Sequence, residues 1–309
     1  MTVSLQVSPE ISVPWRWFLH KWPAYSIALD GFVEEAPRYS DAGPHLNLNH
    51  HQNVDRSATR ATCAQTLMAI RQGLFKRFQQ NGEPHATVYV NDCDEDVSVS
   101  WFLLSHPAMA VQILNPLLNR LVSMEDALDA TAGAYPFPPD LPVIGELAWV
   151  FEPYRQFRVS GRLDARIASE YRSIIQDVCG RIEKHITGTG SRVPLDTRYE
   201  RLGGGTGWTM VKEIGAQART GMFAEGIRAY VTVRERPDHN YTYVLGRMSP
   251  FVPFNLKRIY EACNNAENRK VDVWGGSDLV GGSPRQHGST LRPEELTCLI
   301  EETLKADNS

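Results

Sequence analysis

The chain has 309 residues, 36 of them acidic and 32 basic, so its formal net charge at pH 7 is −4. This balance offers no basic surface for duplex nucleic acid, and no apolar run is long enough to span a membrane. The length is sufficient for two domains, each with its own core.

The cysteines and the N-terminal residues indicate in which cellular compartment the protein is expected. The five cysteines are scattered along the chain and form no CxxC motif. The chain does not begin with a basic, apolar leader segment. Both features are typical of a reduced, cytoplasmic protein without a zinc finger.

The N-terminal segment is rich in aromatic side chains, namely Trp15, Trp17, Phe18, Trp22 and Tyr25. We expect this cluster to pack over a sheet edge or against a partner subunit, so a homodimer is one expectation. Residues 26–29 then predict a short strand. Asp30 stands at the end of that strand, directly before Gly31.

A second predicted strand ends in two adjacent histidines. Residues 45–48 alternate polar and apolar side chains, and Asn49, His50 and His51 follow them. In open α/β sheets, ligands bind outside the carboxyl ends of the strands, and neutral imidazole is the commonest metal ligand. The histidine pair is therefore a candidate metal site.

A third predicted strand, residues 87–90, ends in an acidic segment that contains Asp92, Asp94 and Asp96. Carboxylates at alternate positions repel one another, so the segment needs a compensating positive charge. Carboxylate oxygens beside imidazoles suit Mg, Mn, Zn or Fe ions.

Helices are predicted between these strands and after them. The apolar spacing predicts a helix over residues 57–82, with Ser57 as its N-cap and Asn81-Gly82 as its end. Further helices are predicted over residues 97–105 and 163–187.

Two more acidic side chains, Asp126 and Asp129, lie three residues apart in a helix-like stretch. On a helix they share one face, which is costly unless that face meets a cation or water.

The C-terminal part has a different texture. Residues 226–234 and 241–247 predict adjacent strands, residues 271–274 predict another strand, and helices are predicted over residues 255–266 and 293–305. A glycine-rich segment follows residue 274 and matches neither GxGxxG nor the Walker A sequence.

Backbone amides in such a segment can approach an anion closely, and arginine suits carboxylate or phosphate. We therefore predict that this part of the chain binds a small anionic substrate. The predicted substrate-binding residues are Arg247, Gly275, Gly276, Ser277, Gly281, Gly282, Ser283 and Arg285.

These motifs together resemble the DHH phosphoesterase family, over about residues 26 to 305. Asn49-His50-His51 resembles the motif that names the family, although Asn49 stands where the family has Asp. The segment 92–94 resembles the family's Asp-x-Asp motif, although it follows the histidines here. The glycine pairs resemble its GG-rich anion site, with Ser277 in place of a histidine.

The resemblance implies two divalent metals held by strand-end Asp and His residues, and a smaller C-terminal domain that closes over the substrate. The implied metal ligands are Asp30, His50, His51, Asp92, Asp94 and Asp126. Manganese is the first candidate, and Fe, Zn, Co and Mg are alternatives.

The predicted fold class is α/β, with a mostly parallel sheet in a metal-binding N-terminal domain and a smaller α+β C-terminal domain. The predicted boundaries are residues 1–160 for the metal-binding domain, 161–220 for a helical connector with loops, and 221–309 for the substrate-binding domain.

The leading hypothesis is a metal-dependent hydrolase of a small anionic substrate, with a phosphoester as one candidate. In this hypothesis His51, Asp96 and Asp55 are the catalytic residues, which orient other groups or transfer protons. His45 is an alternative to Asp96 or Asp55 in this role. A second hypothesis is hydrolysis of an amide or another non-phosphate bond, which the missing carboxylate at Asn49 motivates. A third is a non-catalytic protein that binds a small anion.

Overall fold

The computed structural model describes residues 2–56 and 58–307, which divide into two units. The first unit comprises Met1–Ala130 and Pro142–Val193, and the second comprises Thr131–Leu141 and Pro194–Ser309.

A mostly parallel sheet forms the centre of the first unit. Its strands are β1 (Thr2–Val7), β2 (Ser26–Leu29), β3 (Arg38–Ser40), β4 (His45–Leu48), β5 (Gln79–Gln80) and β6 (Glu83–Val90). The order is β1-β6-β2-β4-β3, and β5 pairs with β6. The four strands β1, β6, β2 and β4 are parallel, whereas β3 and β5 pair antiparallel. Because parallel strands share one direction, the carboxyl ends of β2, β4 and β6 meet at one edge.

The helices of the first unit are α1 (Trp15–Lys21), α2 (Thr62–Arg71), α3 (Glu95–Ser105), α4 (Pro107–Ala110), α5 (Pro116–Ala130), α6 (Pro142–Val150), α7 (Glu152–Val159) and α8 (Ala168–Ile186). Short 3₁₀ helices cover Leu74–Lys76 and Arg162–Ala165. The central strands β2 and β4 are buried along their whole length, as parallel strands usually are, and all four residues of β2 are inaccessible to solvent.

The aromatic N-terminal segment packs onto this sheet. Phe18 is fully buried and contacts Trp15, Trp22, Phe32 and Tyr89, with ring centroids 5.6 to 6.2 Å apart. The packing over a sheet is therefore observed within one chain.

The helix predicted over residues 57–82 is shorter than expected. Helix α2 begins at Thr62 and ends at Arg71. Asn81 and Gly82 have φ angles of 53° and 82° and form the two-residue turn between β5 and β6. Asn-Gly favours such a hairpin turn, so its interpretation as a helix end was wrong. The expected N-cap, Ser57, lies outside the described residues.

The second unit is built on a mixed sheet. Its strands are β7 (Tyr199–Gly205), β8 (Trp208–Glu213), β9 (Ala229–Glu235), β10 (Tyr241–Arg247), β11 (Gly275–Gly276) and β12 (Val280–Gly282). The order is β11-β12-β10-β9-β8-β7, and only β8 with β9 is parallel. Its helices are α9 (Ala218–Ala224), α10 (Leu256–Ala266) and α11 (Pro293–Asp307).

The core of the second unit lies against this sheet. Trp208, Tyr243, Phe254 and Trp274 are all buried there. The strand predicted over residues 271–274 is absent, and Val271 is 81% exposed. The apolar side chains of this stretch do not share one face, since Trp274 alone is buried.

The coarse prediction of an α/β chain with a mostly parallel sheet is confirmed. No helix within residues 2–56 and 58–307 combines the length and the apolar character that crossing a membrane requires.

Candidate metal centre

The turn after β2 positions the first carboxylate. Asp30 has a φ of 49°, in the left-handed region, and Gly31 follows with a φ of 90°. Asp tolerates this conformation better than most residues, and glycine adopts it without strain. The Asp30 side chain is buried, and its Oδ1 accepts a hydrogen bond from Thr62 Oγ1 at 3.0 Å.

The segment after β4 positions the histidine pair. Nε2 of His51 lies 3.0 Å from Oδ1 of Asp30, and Nε2 of His50 lies 3.4 Å from the same oxygen. The two rings are 4.4 Å apart between centroids. His50 is completely buried, whereas His51 has a side-chain exposure of 33%. Asp30, His50 and His51 thus meet beyond the carboxyl ends of β2 and β4.

Asn49 holds this segment in place. Its Nδ2 faces the carbonyl oxygens of Val33 and Glu35 at 3.2 and 2.9 Å and Oε1 of Gln52 at 2.6 Å. Its Oδ1 accepts a hydrogen bond from the backbone N–H of His51 at 3.0 Å. These partners fix the orientation of the amide, because backbone carbonyls only accept and a backbone N–H only donates.

Helix α5 contributes Asp129 to the centre. Oδ2 of Asp129 lies 2.7 Å from Nε2 of His50, which is the shortest contact that His50 makes with a carboxylate of the described chain. Two groups of described side chains could hold a metal ion: Asp30 with His50 and His51, and His50 with Asp96 and Asp129. Asp126, one turn before Asp129, belongs to neither group. Its two oxygens accept from the backbone N–H of Ala61 at 2.7 Å and from Arg60 at 2.9 Å.

Asp96 belongs to α3 and reaches the same position. Its Oδ2 lies 3.7 Å from Nε2 of His50. Its oxygens also accept from the backbone N–H groups of Thr62 and Cys63 at 2.7 and 2.6 Å. These are the first two residues of α2, whose orphan amides attract negative charge. Asp96 is therefore fixed by α2 as well as directed at His50.

Asp92 and Asp94 lie nearby but outside the two groups. Oδ1 of Asp92 accepts from Cys93 N at 2.7 Å, and Oδ1 of Asp94 accepts from Val97 N at 2.9 Å as the N-cap of α3. Both are close enough to Asp30 for the carboxylates to repel one another.

Burial and crowding make these carboxylates hard to ionise. Burial, followed by the charges of Asp129 and Asp30, raises the pKa of Asp96 well above its usual range. Burial and the charges of Asp30 and Asp92 do the same to the pKa of Asp94. A cation among them would remove this penalty.

The histidines favour the ionised form of a neighbouring carboxylate, Asp30. Burial disfavours the charged form of Asp30, yet contacts with His50 and His51 hold the pKa of Asp30 well below its usual range. Burial also opposes protonation of His50, but contacts with Asp129 and Asp30 raise the pKa of His50 to about 10. The carboxylates around His50 therefore favour a positive charge at this position.

The side chains fit a divalent cation. The ligand atoms of Asp30, His50 and His51 lie within 4.8 Å of one another, and so do those of His50, Asp96 and Asp129. Octahedral coordination at about 2.1 Å places adjacent ligands about 3 Å apart and opposite ligands about 4.2 Å apart. Nitrogen and carboxylate donors together suit Mn, Fe, Zn or Co.

A second observation supports this fit. Nε2 of His50 and Oδ2 of Asp129 are only 2.7 Å apart, but neither atom makes a hydrogen bond of acceptable geometry within the described residues. Buried polar atoms without partners are costly. A cation bound by both atoms would satisfy them without a hydrogen bond between them.

Two other residues predicted to act in catalysis, Asp55 and His45, are not among these candidate ligands. Asp55 is exposed in the loop before α2 and takes part in neither group. His45 begins β4, at the end opposite His50, and its ring nitrogens face the carbonyl oxygens of Trp22 and Gly43. The prediction that His45 serves the centre was wrong, because strand direction places it at the other edge of the sheet.

In the second unit, the glycine-rich segment forms a tight hairpin. Gly275 and Gly276 pair with Gly282 and Gly281. A Cβ atom on Gly281 would lie 2.2 Å from the Tyr260 hydroxyl and 2.4 Å from the carbonyl oxygen of Gly275. Close backbone approach within the hairpin therefore requires Gly281.

The neighbouring polar residues are partly engaged. Oγ of Ser277 accepts from the backbone N–H of Val280, and Oγ of Ser283 accepts from that of Tyr243. Arg247 donates to the carbonyl oxygens of Asp278 and Val252 at 2.7 and 3.2 Å. Arg285 is exposed.

Sequence reasoning missed two residues of the centre, Asp129 and Arg56. NH2 of Arg56 donates to the backbone oxygen of Asp129 at 2.9 Å, and NH1 lies 3.5 Å from Nδ1 of His51. The shared helical face of Asp126 and Asp129 was a signal for the first, whereas no motif marked Arg56. The chain matches no protein-family model and no curated protein sequence.

Proposed function

We propose that this protein is a metal-dependent hydrolase that acts on a small anionic substrate. The main support for the proposal is that His50 Nε2 lies 2.7 Å from Asp129 Oδ2 although neither atom makes a hydrogen bond within the described residues. Asp30, Asp96 and His51 complete the two groups of candidate ligands that include His50. Manganese is the first candidate cation. The resemblance to the DHH phosphoesterases supports a phosphoester as the first substrate class to test.

The five side chains would hold the cation from three directions. Asp30 and the histidine pair follow neighbouring parallel strands, Asp96 lies in the first turn of α3, and Asp129 lies near the end of α5. A bound divalent cation lowers the pKa of a coordinated water and polarises the scissile bond. The Asp96 carboxylate, whose pKa burial raises, would then carry its charge at lower cost.

The residues differ in how they would serve the reaction. Asp96 is fixed by two backbone N–H groups, so it orients its neighbours and does not move. His51 is the most exposed of the five, with a side-chain exposure of 33%. We assign to His51 the contact with the substrate side of the centre, and to Asp55, in the adjoining loop, no direct role.

The main experiment compares metal content and hydrolysis in one set of samples. Tag-free protein, His50→Ala and Asp129→Asn are loaded with Mn²⁺, analysed for bound metal, and assayed on a phosphodiester, a phosphomonoester and an amide. One to two equivalents of Mn²⁺ in the wild type, lost in both variants, with hydrolysis of a phosphoester, is the expected result.

The same samples distinguish the alternatives. Hydrolysis of the amide alone would favour the second hypothesis, in which the bond is not a phosphoester. Wild-type protein that retains no Mn²⁺ after loading would overturn the metal centre.

A further inference from the structure

Arg56 lies beside the proposed centre and makes one long ion pair within the described residues, with Asp129. Its NH2 group donates to a backbone carbonyl, that of Asp129. The nearest carboxylate oxygen in the described chain, Oδ1 of Asp129, is 3.9 Å from NH2, which is beyond hydrogen-bond distance. The contact of NH1 with His51 Nδ1, at 3.5 Å, is also weak.

One donor of this guanidinium lacks a partner altogether. Nε of Arg56 is buried and makes no hydrogen bond in the described part of the chain. Leaving such a donor unsatisfied costs about 1–3 kcal/mol, and more for a charged group. Two other part-buried arginines of this unit make more hydrogen bonds. Arg71 donates to Asn119 and to two backbone carbonyls. Arg181 donates to Glu152 and to the Trp149 carbonyl.

Arg56 and the neighbouring His51 are also partly accessible to solvent. The Arg56 side chain is 20% exposed, and the His51 ring beside it is 33% exposed. A guanidinium presents its donors in a planar fork that matches the paired oxygens of a phosphate or carboxylate. Arg56 therefore combines one donor without a partner, a weakly engaged NH1, partial exposure and contact with two candidate ligands.

We propose that Arg56 binds an oxyanion group of the substrate next to the metal ligands. This inference rests on the proposed hydrolase function and adds its substrate-recognition residue. The anionic selectivity of the centre then arises within the first unit, from a residue that contacts both His51 and Asp129.

The test is a calorimetric titration of Mn²⁺-loaded full-length protein with inorganic phosphate. Arg56→Gln should weaken phosphate binding by roughly 10-fold or more, because charge-assisted hydrogen bonds are lost. Arg60→Gln is the matched control, since Arg60 lies in the same loop but pairs with Asp126 at 2.9 Å. Its phosphate affinity should equal that of the wild type.

Arg56→Lys keeps the charge but loses the fork, so its phosphate affinity should fall between those of the wild type and Arg56→Gln. It also provides a folded comparison if circular dichroism shows that Arg56→Gln is unfolded. Equal phosphate affinity in the wild type and the folded Arg56 variants would overturn the inference. So would a loss of Mn²⁺ with unchanged phosphate binding, because Arg56 would then only brace Asp129.

The outcome for the hydrolase proposal is separate. If the wild type retains no Mn²⁺, the metal centre fails, and the same titration on these metal-free samples still decides the role of Arg56. If phosphate binds more weakly to Arg56→Gln than to both the wild type and Arg60→Gln, the oxyanion site is supported without the metal. No phosphate binding by the wild type would overturn it.

Discussion

The backbone N–H of His51 donates a hydrogen bond to Oδ1 of Asn49 at 3.0 Å. Through this bond, and through Nδ2, Asn49 ties the histidine pair to the backbone of Val33 and Glu35. An aspartate here would lack the N–H groups that these carbonyl oxygens need. Asn49 is thus a positioning residue, although it occupies the place of a ligand in the motif that it resembles.

Replacing Asn49 by Asp should therefore weaken metal binding. The new carboxylate would face two carbonyl oxygens and the side chain of Gln52, which costs about 1–3 kcal/mol in the free energy of unfolding. We expect the Mn²⁺ affinity, measured by calorimetry on the folded protein, to fall by roughly 10- to 100-fold, as for other residues that orient metal ligands.

Asn47 provides the matched control for that substitution. It is also fully buried on β4, and its Nδ2 donates to the carbonyl oxygens of Glu35 and Ala36. Its Oδ1, however, has no hydrogen-bond partner in the described residues, so it accepts no bond from the histidine segment. Asn47→Asp should reduce stability with little effect on Mn²⁺ affinity, and a gain in affinity for Asn49→Asp would show instead that residue 49 is a ligand position.

Asp129 and Asp126 allow a comparison within one helix. Asp129→Asn should lower Mn²⁺ affinity at least about 10-fold, because Oδ2 lies against His50 Nε2. Asp126→Asn should leave Mn²⁺ affinity near the wild-type value, because Asp126 binds Arg60 and the N-terminus of α2. Calorimetric titration of both variants checks this, and equal losses of affinity would contradict the assignment of Asp129.

The glycine hairpin of the second unit should tolerate alanine at one position and not at another. Gly281→Ala places a methyl group 2.2 Å from the Tyr260 hydroxyl, so we expect a loss of about 1–3 kcal/mol in the free energy of unfolding. Gly275→Ala is the control, since no atom of the described chain outside its immediate neighbours lies within 4 Å of where its methyl group would stand, and its φ is not positive. Urea denaturation of the two variants measures the difference, and similar midpoints would refute the packing explanation.

Glu267 should make stability depend on pH. Burial raises its pKa, but hydrogen bonds from Trp274 and Thr290 outweigh this and hold the pKa of Glu267 below its usual value of 4.5. A carboxyl whose pKa is lower in the folded state stabilises the fold above its unfolded-state pKa. That contribution is lost as the pH falls below 4.5 towards the folded-state pKa.

The measurement compares urea midpoints of the wild type and Glu267→Gln from about pH 6 to about pH 3. The advantage of the wild type should shrink as the pH falls. Glu200→Gln, at an exposed position of β7, serves as the control. A difference between wild type and Glu267→Gln that does not change with pH would count against this role of Glu267.

The sequence by itself determined which residues end the buried strands. Asp30, His50 and His51 follow short apolar or alternating runs, and the side-chain period of a strand is local information. Parallel pairing then brings strand ends to one edge, which follows from the general rules of α/β sheets. The core of the candidate centre was therefore predictable without coordinates.

Only the tertiary structure decided which acidic residue of α5 joins that centre. Asp126 and Asp129 are three residues apart, so their directions differ by about 60° around the helix and their heights by about 4.5 Å. Which of them reaches His50 depends on how α5 packs, and no local pattern encodes that packing. The same holds for Asn49 and Arg56, whose partners are backbone atoms and side chains that only the folded chain brings within reach.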